Sequence, residues 1–421
     1  MKTINIGVDA SNAIGTIRPL HGVNNGPVCY GSFVDASDFY RQAAFPSIRL
    51  HDTNWPHPRE VDIPWVFPDF TRDPNDPQSY NFARTDTYLA SVVSTGAQIT
   101  YRLGVSIEHT EAVYYTFPPP NFDKWAQICK GIVRHYNHGW AKGFHYGIRY
   151  WEIWNEPELG KGMWAGTNDE YFDLYKVTSR ILKEFDPHLK IGGPATTSAY
   201  PEFVTRFLDF CKLHHLPLDF FSWHSYADDP FLIQARAQRW REQLDNHGFT
   251  ATESHLNEWN YALPEVWDAL FRKDGYTVHD VQRAFEIPKG PEGAAFASSL
   301  LTLMQDCPVD SAQFYDGAPS SWWSLFNCYG VPQKNYYALL AFKKLCECPE
   351  RLPVEVSPQK EGIFCCAGKS SSGRSLAVLI TNFKSAAAQC TVRFTLSDLG
   401  KLGCKEYRID ASHSLDLVGE Y

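Results

Sequence analysis

The sequence predicts an α/β fold: a (β/α)8 TIM barrel with a small accessory β-sandwich domain. Three observations carry this. Apolar strand-like runs alternate with helical patterns about eight times between residues 20 and 345, which is the rhythm of a barrel. The acids that end strands lie far apart in sequence, which suits a closed ring whose rims converge on one cleft. No Gly-x-Gly-x-x-Gly turn follows an early strand, where a doubly wound dinucleotide-binding sheet would place one.

The elements follow in order. Thr3 to Val8 alternates as a strand, and Leu20 to Val23 is the first barrel strand, before a turn-rich run of Gly and Asn. Ser37 to Ala44 is a short helix. Ser47 to Asp52 is the second strand, with Arg49 and His51 on one face by the period of two. Trp55 to Tyr80 is a long Pro- and Asp-rich loop with an aromatic wall of Trp55, Trp65 and Phe67. Thr85 to Thr95 is a helix and Gln98 to Gly104 the third strand. Phe122 to Tyr136 carries apolar residues at helical spacing. The fourth strand starts at Arg149 and stops near Asn155, because Pro157 cannot join a ladder. Asn168 to Phe185 is a helix, Leu189 to Pro194 the fifth strand, and Pro201 to His214 a helix. Leu218 to Tyr226 is the sixth strand, Phe231 to His247 a helix, and Ala251 to Trp259 the seventh strand. Gly293 to Asp306 is a helix, Asp310 to Asp316 the eighth strand, and Tyr336 to Leu345 the closing helix.

Beyond Pro349 only short strands separated by Gly and Ser are legible, which is the texture of a small β unit. The predicted organisation is residues 1–18 as an N-terminal strand joining the accessory β domain, 19–348 as the barrel, and 349–421 as the β-sandwich-like domain. Chain ends often lie close, which favours the first strand completing the last unit.

Composition narrows the function. Aromatics make up 15% of 421 residues, with 13 Trp and 22 Tyr, more than a core alone needs; part of this set is expected in a cleft. The formal charge of −9 argues against nucleic acid and anionic membranes as partners and leaves self-association as a homo-oligomer open. The start lacks an apolar run of signal-peptide length, and the 11 Cys are odd in number and scattered, so reduced thiols and a cytoplasmic protein are expected. Neither a His-Glu-x-x-His pattern nor paired zinc spacing occurs, and no metal or other cofactor is expected. The absence of a Gly-x-Ser-x-Gly elbow speaks against a serine hydrolase.

Chemistry centres on Trp151-Glu152-Ile153-Trp154-Asn155-Glu156-Pro157-Glu158. A carboxylic acid beside an amide, walled by indoles, suits acetal cleavage, which needs a proton donor, a hydroxyl partner and flat apolar faces. Glu156 and Glu258, 102 positions apart at the ends of the fourth and seventh strands, are the expected acid pair. Glu152 lies a layer lower on the same face, Glu158 lies past the proline, and Glu253 is expected on the opposite face of its strand from Glu258. Asp316, ending the eighth strand, is a third acid near the substrate. His51, His224, Tyr226, Trp322 and Trp323 all fall at predicted strand ends and are candidate pocket residues. A non-catalytic carbohydrate-binding barrel is the rival reading, and a structural or interaction protein a weaker one.

The run Trp151 to Glu158, with Trp164-Ala165-Gly166, Ile191 to Ala195, Asp219 to Tyr226 and Gly330 to Tyr337, resembles glycoside hydrolase family 39 across roughly residues 20–345. The resemblance implies a retaining, exo-acting glycosidase, closest in kind to β-xylosidases; relatives act on iduronic acid-, arabinose- or galactose-containing glycans. It implies Glu156 as general acid/base, Glu258 as nucleophile, and Asn155 at the sugar 2-hydroxyl. His51, His224 and Tyr226 would line the pocket, with Arg49 near the nucleophile. Asn257-Glu258-Trp259 departs from the family's Thr-Glu-Phe or Thr-Glu-Trp, and Tyr315-Asp316-Gly317 departs from the usual xylosidase form.

Overall fold

The computed structural model describes residues 3–53, 59–270, 275–319, 323–357, 362–386, 389–395 and 403–421. Eight parallel strands close a barrel: β1 (Gly22–Asn24), β2 (Ser47–Leu50), β3 (Gln98–Leu103), β4 (Tyr150–Ile153), β5 (Lys190–Thr196), β6 (Phe220–Ala227), β7 (Glu253–Tyr261) and β8 (Ser311–Phe314). Each pairs with the next in sequence, and Gln313 of β8 lies opposite Gly22 of β1, which closes the ring. The strands are buried on both faces, as parallel strands under a helix layer must be. Close approach is set locally: a Cβ at Gly192 would overlap the Phe220 carbonyl oxygen between β5 and β6.

The outer layer is α1 (Ser37–Ala43), α2 (Ala83–Val93), α3 (Phe122–His138), α4 (Asn168–Phe185), α5 (Pro201–Leu213), α6 (Pro230–His247), α7 (Pro291–Leu303) and α8 (Lys334–Cys346). α4 starts on a full capping box: Thr167 accepts from the Glu170 N–H at 3.2 Å, and Glu170 accepts from the Thr167 N–H at 2.8 Å. This pins the exit of the loop that follows β4. Two helices, Pro264–Leu270 and Val278–Glu286, lie in the loop after β7, where the sequence reading placed none. They are short and sit outside the strand–helix rhythm.

The N-terminal strand Thr3–Asp9 lies between Val354–Ser357, antiparallel, and Gln389–Thr395, parallel. A four-stranded sheet runs Leu376–Asn382, Ile363–Lys369, Glu350–Leu352 and Gly15–Thr16. One apolar cluster holds the two sheets together, with Ile4, Ile6 and Val8 packed beside Leu352, Ile363 and Ala367.

Tryptophans go mostly to the core. Trp125, Trp151, Trp154, Trp164, Trp223, Trp240 and Trp259 are all buried, so the excess of indoles is largely packing. No helix of the described residues is long and apolar enough to cross a membrane.

Candidate active site

Arg49 is the hub at the carboxyl end of the barrel. Its side chain is fully buried, and all three guanidinium nitrogens are used. Nε donates to Glu152 Oε2 at 2.6 Å, and Nη1 to Glu258 Oε1 at 2.7 Å and Asn24 Oδ1 at 3.1 Å; Nη2 donates to Asn155 Oδ1 at 2.6 Å. One rigid fork thus fixes four acceptors from β1, β4, the turn after β4 and β7. The two carboxylates hold the guanidinium charged well above its usual range, against burial, which alone would lower it.

Glu156 and Glu258 face each other across this hub. Carboxylate oxygens of the two and Nδ1 of His224 all lie within 4.8 Å of one another. Nδ1 is 2.6 Å from Glu156 Oε1 and 3.5 Å from Glu258 Oε2, and Tyr226 donates to Glu258 Oε2 at 2.7 Å. Three such ligand-type atoms are close enough to share a cation. The Arg49 charge bonded to Glu258 opposes that use.

The two acids live in different fields. Burial pushes Glu156 up to about 8, Arg49 pulls it back, and the nearby Asp52 charge adds to the rise. Burial also raises Glu258, but His224, Arg49 and Tyr226 oppose it directly. Burial pushes His224 down to about 4, so the ring is neutral at pH 7. The 2.6 Å contact to Glu156 is then a hydrogen bond that carries a single proton, not an ion pair.

Local backbone explains how Glu156 reaches this place. β4 ends at Ile153, not at Asn155, and the chain then turns sharply. Trp154 and Glu156 have φ of 71° and 43°, a left-handed conformation costly for side-chain-bearing residues. The turn is tied down by the Glu156 N–H on the Ala195 carbonyl at 3.0 Å and by the Trp154 indole on the Met163 carbonyl at 2.8 Å. Glu158 locks its far side, accepting from Thr196 Oγ1 at 2.8 Å and from the Thr197 N–H. Burial, with the Glu156 charge beside it, pushes Glu158 up to about 7.

Glu258 reaches the cleft by a different device. β7 continues to Tyr261, so Glu258 is not its last residue. Pairing with β6 slips between Trp223 and His224, and pairing with β8 slips between Leu256 and Trp259. The bulge lets consecutive residues Asn257 and Glu258 both face the barrel interior. It also corrects the expectation for Glu253. That side chain faces inward too, at the floor, where it accepts from Tyr150 Oη at 2.9 Å and lies 2.9 Å from the His255 ring. The period of two fails because one extra residue intervenes.

The remaining expected residues divide. Asn155, Arg49, His224 and Tyr226 surround the pair. His51 sits one residue beyond β2 and accepts from Arg102 Nε at 3.1 Å, with Arg49 and the His224 ring as neighbours. Asp316 is fully buried, and the groups that feel its charge include Tyr40, Tyr88, Lys289 and Tyr315. β8 stops at Phe314, two residues short of it, and strand alternation no longer applies. Its neighbour Tyr315 instead has Asp52, Glu258 and Arg49 as electrostatic neighbours. Trp55 and Trp322 fall outside the described residues. Trp323 and Trp267 pack on Tyr226, with ring centroids 5.5 and 5.6 Å away, and form an aromatic wall. Of the long loop, Phe67 is buried and Trp65 stands edge-on to Tyr115 at 5.4 Å. Trp267 and Asn24 carried no signal in the sequence beyond residue type, whereas Asp52 and Tyr315 fell at predicted strand ends without being singled out for a role.

Residues 63–411 match Glycosyl hydrolases family 39. The chain belongs to this family. The family 39 chain is 27% identical over 326 residues to a β-xylosidase of Caldicellulosiruptor saccharolyticus, covering 72% of itself and 64% of that relative. It is 35% identical over 162 residues to a β-xylosidase of Geobacillus stearothermophilus, covering 35% of itself and 31% of that relative. It therefore spans less than two thirds of either curated relative. Among solved structures, a glucosidase from Croceicoccus marinus superposes with a TM-score of 0.82 at 26% identity, covering 100% of this chain and 94% of that one. A family 39 β-xylosidase from Caulobacter crescentus superposes with a TM-score of 0.68 at 20% identity, covering 97% and 86%, and shares the fold.

Proposed function

We propose that the protein is a retaining, exo-acting glycoside hydrolase that removes terminal glycosyl residues by double displacement. The observation that carries this is the separation of the two carboxylates, with oxygens within 4.8 Å. Retaining enzymes hold their carboxyl groups about 5–5.5 Å apart, and inverting enzymes leave room for a water. Glu258, paired with Arg49 and accepting from Tyr226, is the ionised nucleophile. Glu156, kept protonated by burial, gives its proton to the leaving-group oxygen and later takes one from water. Asn155, oriented by Arg49 and by its amide nitrogen on Met163 Sδ at 3.7 Å, has a second amide N–H for a sugar hydroxyl. Tyr226, Trp267 and Trp323 offer apolar faces for the ring. The length and aromatic content of the loop before Tyr80, enough to block one end of a groove, support exo action.

The sugar proposed is xylose, because the two curated relatives matched are β-xylosidases. Glucose is the second reading, favoured by the whole-chain superposition on a glucosidase. Arabinose-, galactose- or uronic-acid-containing glycans come after these. A panel of nitrophenyl glycosides ranks the sugars, and turnover of any of them sets aside the non-catalytic carbohydrate-binding barrel. Proton NMR of the first-formed product then tests the mechanism. Retained anomeric configuration is expected, and inverted product overturns the covalent route. Internal cuts at early times on an end-labelled oligosaccharide overturn the exo action.

A further inference from the structure

Asn257 has no part in the chemistry above, yet it sits within it. Its Nδ2 donates to Glu152 Oε1, and its own carbonyl accepts from Asn24 Nδ2 at 2.8 Å. Its Oδ1 is buried and, among the described residues, has no donor. The ring of His224 has the complementary deficit: Nδ1 is engaged by Glu156, while Nε2 is buried without an acceptor. The slip between β6 and β7 is what brings the two together, because His224 pairs with Glu258 and Asn257 is turned inward beside it. The Asn257 side chain lies close enough to act on the ring, in the direction expected of an acceptor.

A neutral imidazole has one N–H to place. On Nδ1 it would point at Glu156 and favour the carboxylate. On Nε2 it leaves Nδ1 a bare acceptor, and only a protonated Glu156 can fill a 2.6 Å contact to it. We propose that Asn257 is a positioning residue whose Oδ1 accepts the Nε2–H of His224, locking the tautomer that keeps a proton on Glu156. Each orphaned group supplies what the other lacks, and an unmade buried pair would cost both their desolvation. The lock rests on the acid role of Glu156 only for its use, not for its geometry. The titratable and charged groups facing the ring are Glu156 and Glu152 from the β4 side, Arg49 and His51 from β2 and the residue after it, and Glu258 from β7. Those facing Glu156 are Arg49, Asp52, Glu158, Glu258 and Tyr226.

The test is nitrogen-15 NMR of the full chain labelled at histidine, with the His224 ring identified by its loss in His224→Gln. Near pH 7 the ring should show a proton on Nε2 and an unprotonated Nδ1. In Asn257→Leu the acceptor is gone, and the ring should shift toward the Nδ1–H form. The alkaline limb of kcat/KM for a substrate with a poor leaving group should then fall by about one pH unit. A wild-type ring protonated on Nδ1 overturns the proposal. So does Asn257→Leu with the wild-type tautomer, even if turnover drops, since that drop would be structural. If the variant does not fold, the wild-type ring alone decides. The ring is read without turnover, so failure of the glycosidase assignment leaves this result distinct.

Discussion

Two glutamates at opposite ends of the barrel show how one residue type is set to opposite tasks. Glu253, at the floor, is partly buried, which alone would raise its pKa. Hydrogen bonds from His255, Tyr150 and Lys190 outweigh that and hold it down to about 2. Glu156, at the rim, is buried with a neutral histidine as its near partner and is pushed up to about 8. The floor carboxylate is surrounded by donors and joins β4, β5 and β7 through Tyr150, Lys190 and His255. The rim carboxylate is denied donors, and the left-handed turn that presents it is itself strained. Satisfied polar groups stabilise; the under-satisfied one is free to give a proton.

The largest effect should come from the rim. Glu258→Ala removes the proposed attacking oxygens and should lower kcat by about 10⁴-fold or more. Azide should restore turnover and give a glycosyl azide of inverted configuration, read by NMR. A 2-fluoro glycoside should label the wild-type peptide containing Glu258; label on Glu253 or Glu156 would reverse the assignment.

Glu156→Gln comes next. Loss of the acid should cost about 10²–10⁴-fold on poor leaving groups and much less on activated aryl glycosides. The wild-type alkaline limb of kcat/KM should fall near pH 8 and be absent in the variant. Equal losses across leaving groups of different pKa would contradict the acid role.

At the floor the sign reverses. Folding lowers the Glu253 pKa from 4.5 to about 2, so its stabilisation is present above 4.5 and is lost as pH falls through about 2. Glu253→Gln should lose about 1–3 kcal/mol at pH 7 in denaturant melts. Its kcat/KM should stay within about twofold of wild type. A large activity loss without destabilisation would break the division between the two ends.

The smallest effect is the most diagnostic. Folding raises the Glu156 pKa from 4.5 to about 8. Its contribution to stability is full below 4.5 and is lost as pH rises through about 8. Glu156→Gln should therefore melt a few degrees higher than wild type at pH 8 and about equally at pH 4. A variant that melts lower at both pH values would show that the rim is not under-satisfied.

The ring of eight strands, the helices between them and the position of Asn155 and Glu156 just past the fourth strand were legible in the sequence, because burial periodicity and Pro157 act locally. So was Glu258, though for an incomplete reason, since it was placed by strand end rather than by the bulge that turns it inward. A slip in register is a property of two strands, and neither strand's own pattern records it. The same limit hid Glu258, Glu152 and Asn24 as partners of one guanidinium, and Asn257 as a donor to Glu152, for they come from β7, β4 and β1 and meet only when the barrel closes. The excess of tryptophan was legible but its division was not, because indoles fill a core as readily as they line a cleft, and of the described indoles only Trp267 and Trp323 pack on Tyr226. The residue types needed for acid chemistry are thus written in the chain. Which carboxylate keeps its proton was decided by tertiary structure, because desolvation and the approach of Arg49 and His224 exist only in the folded ring.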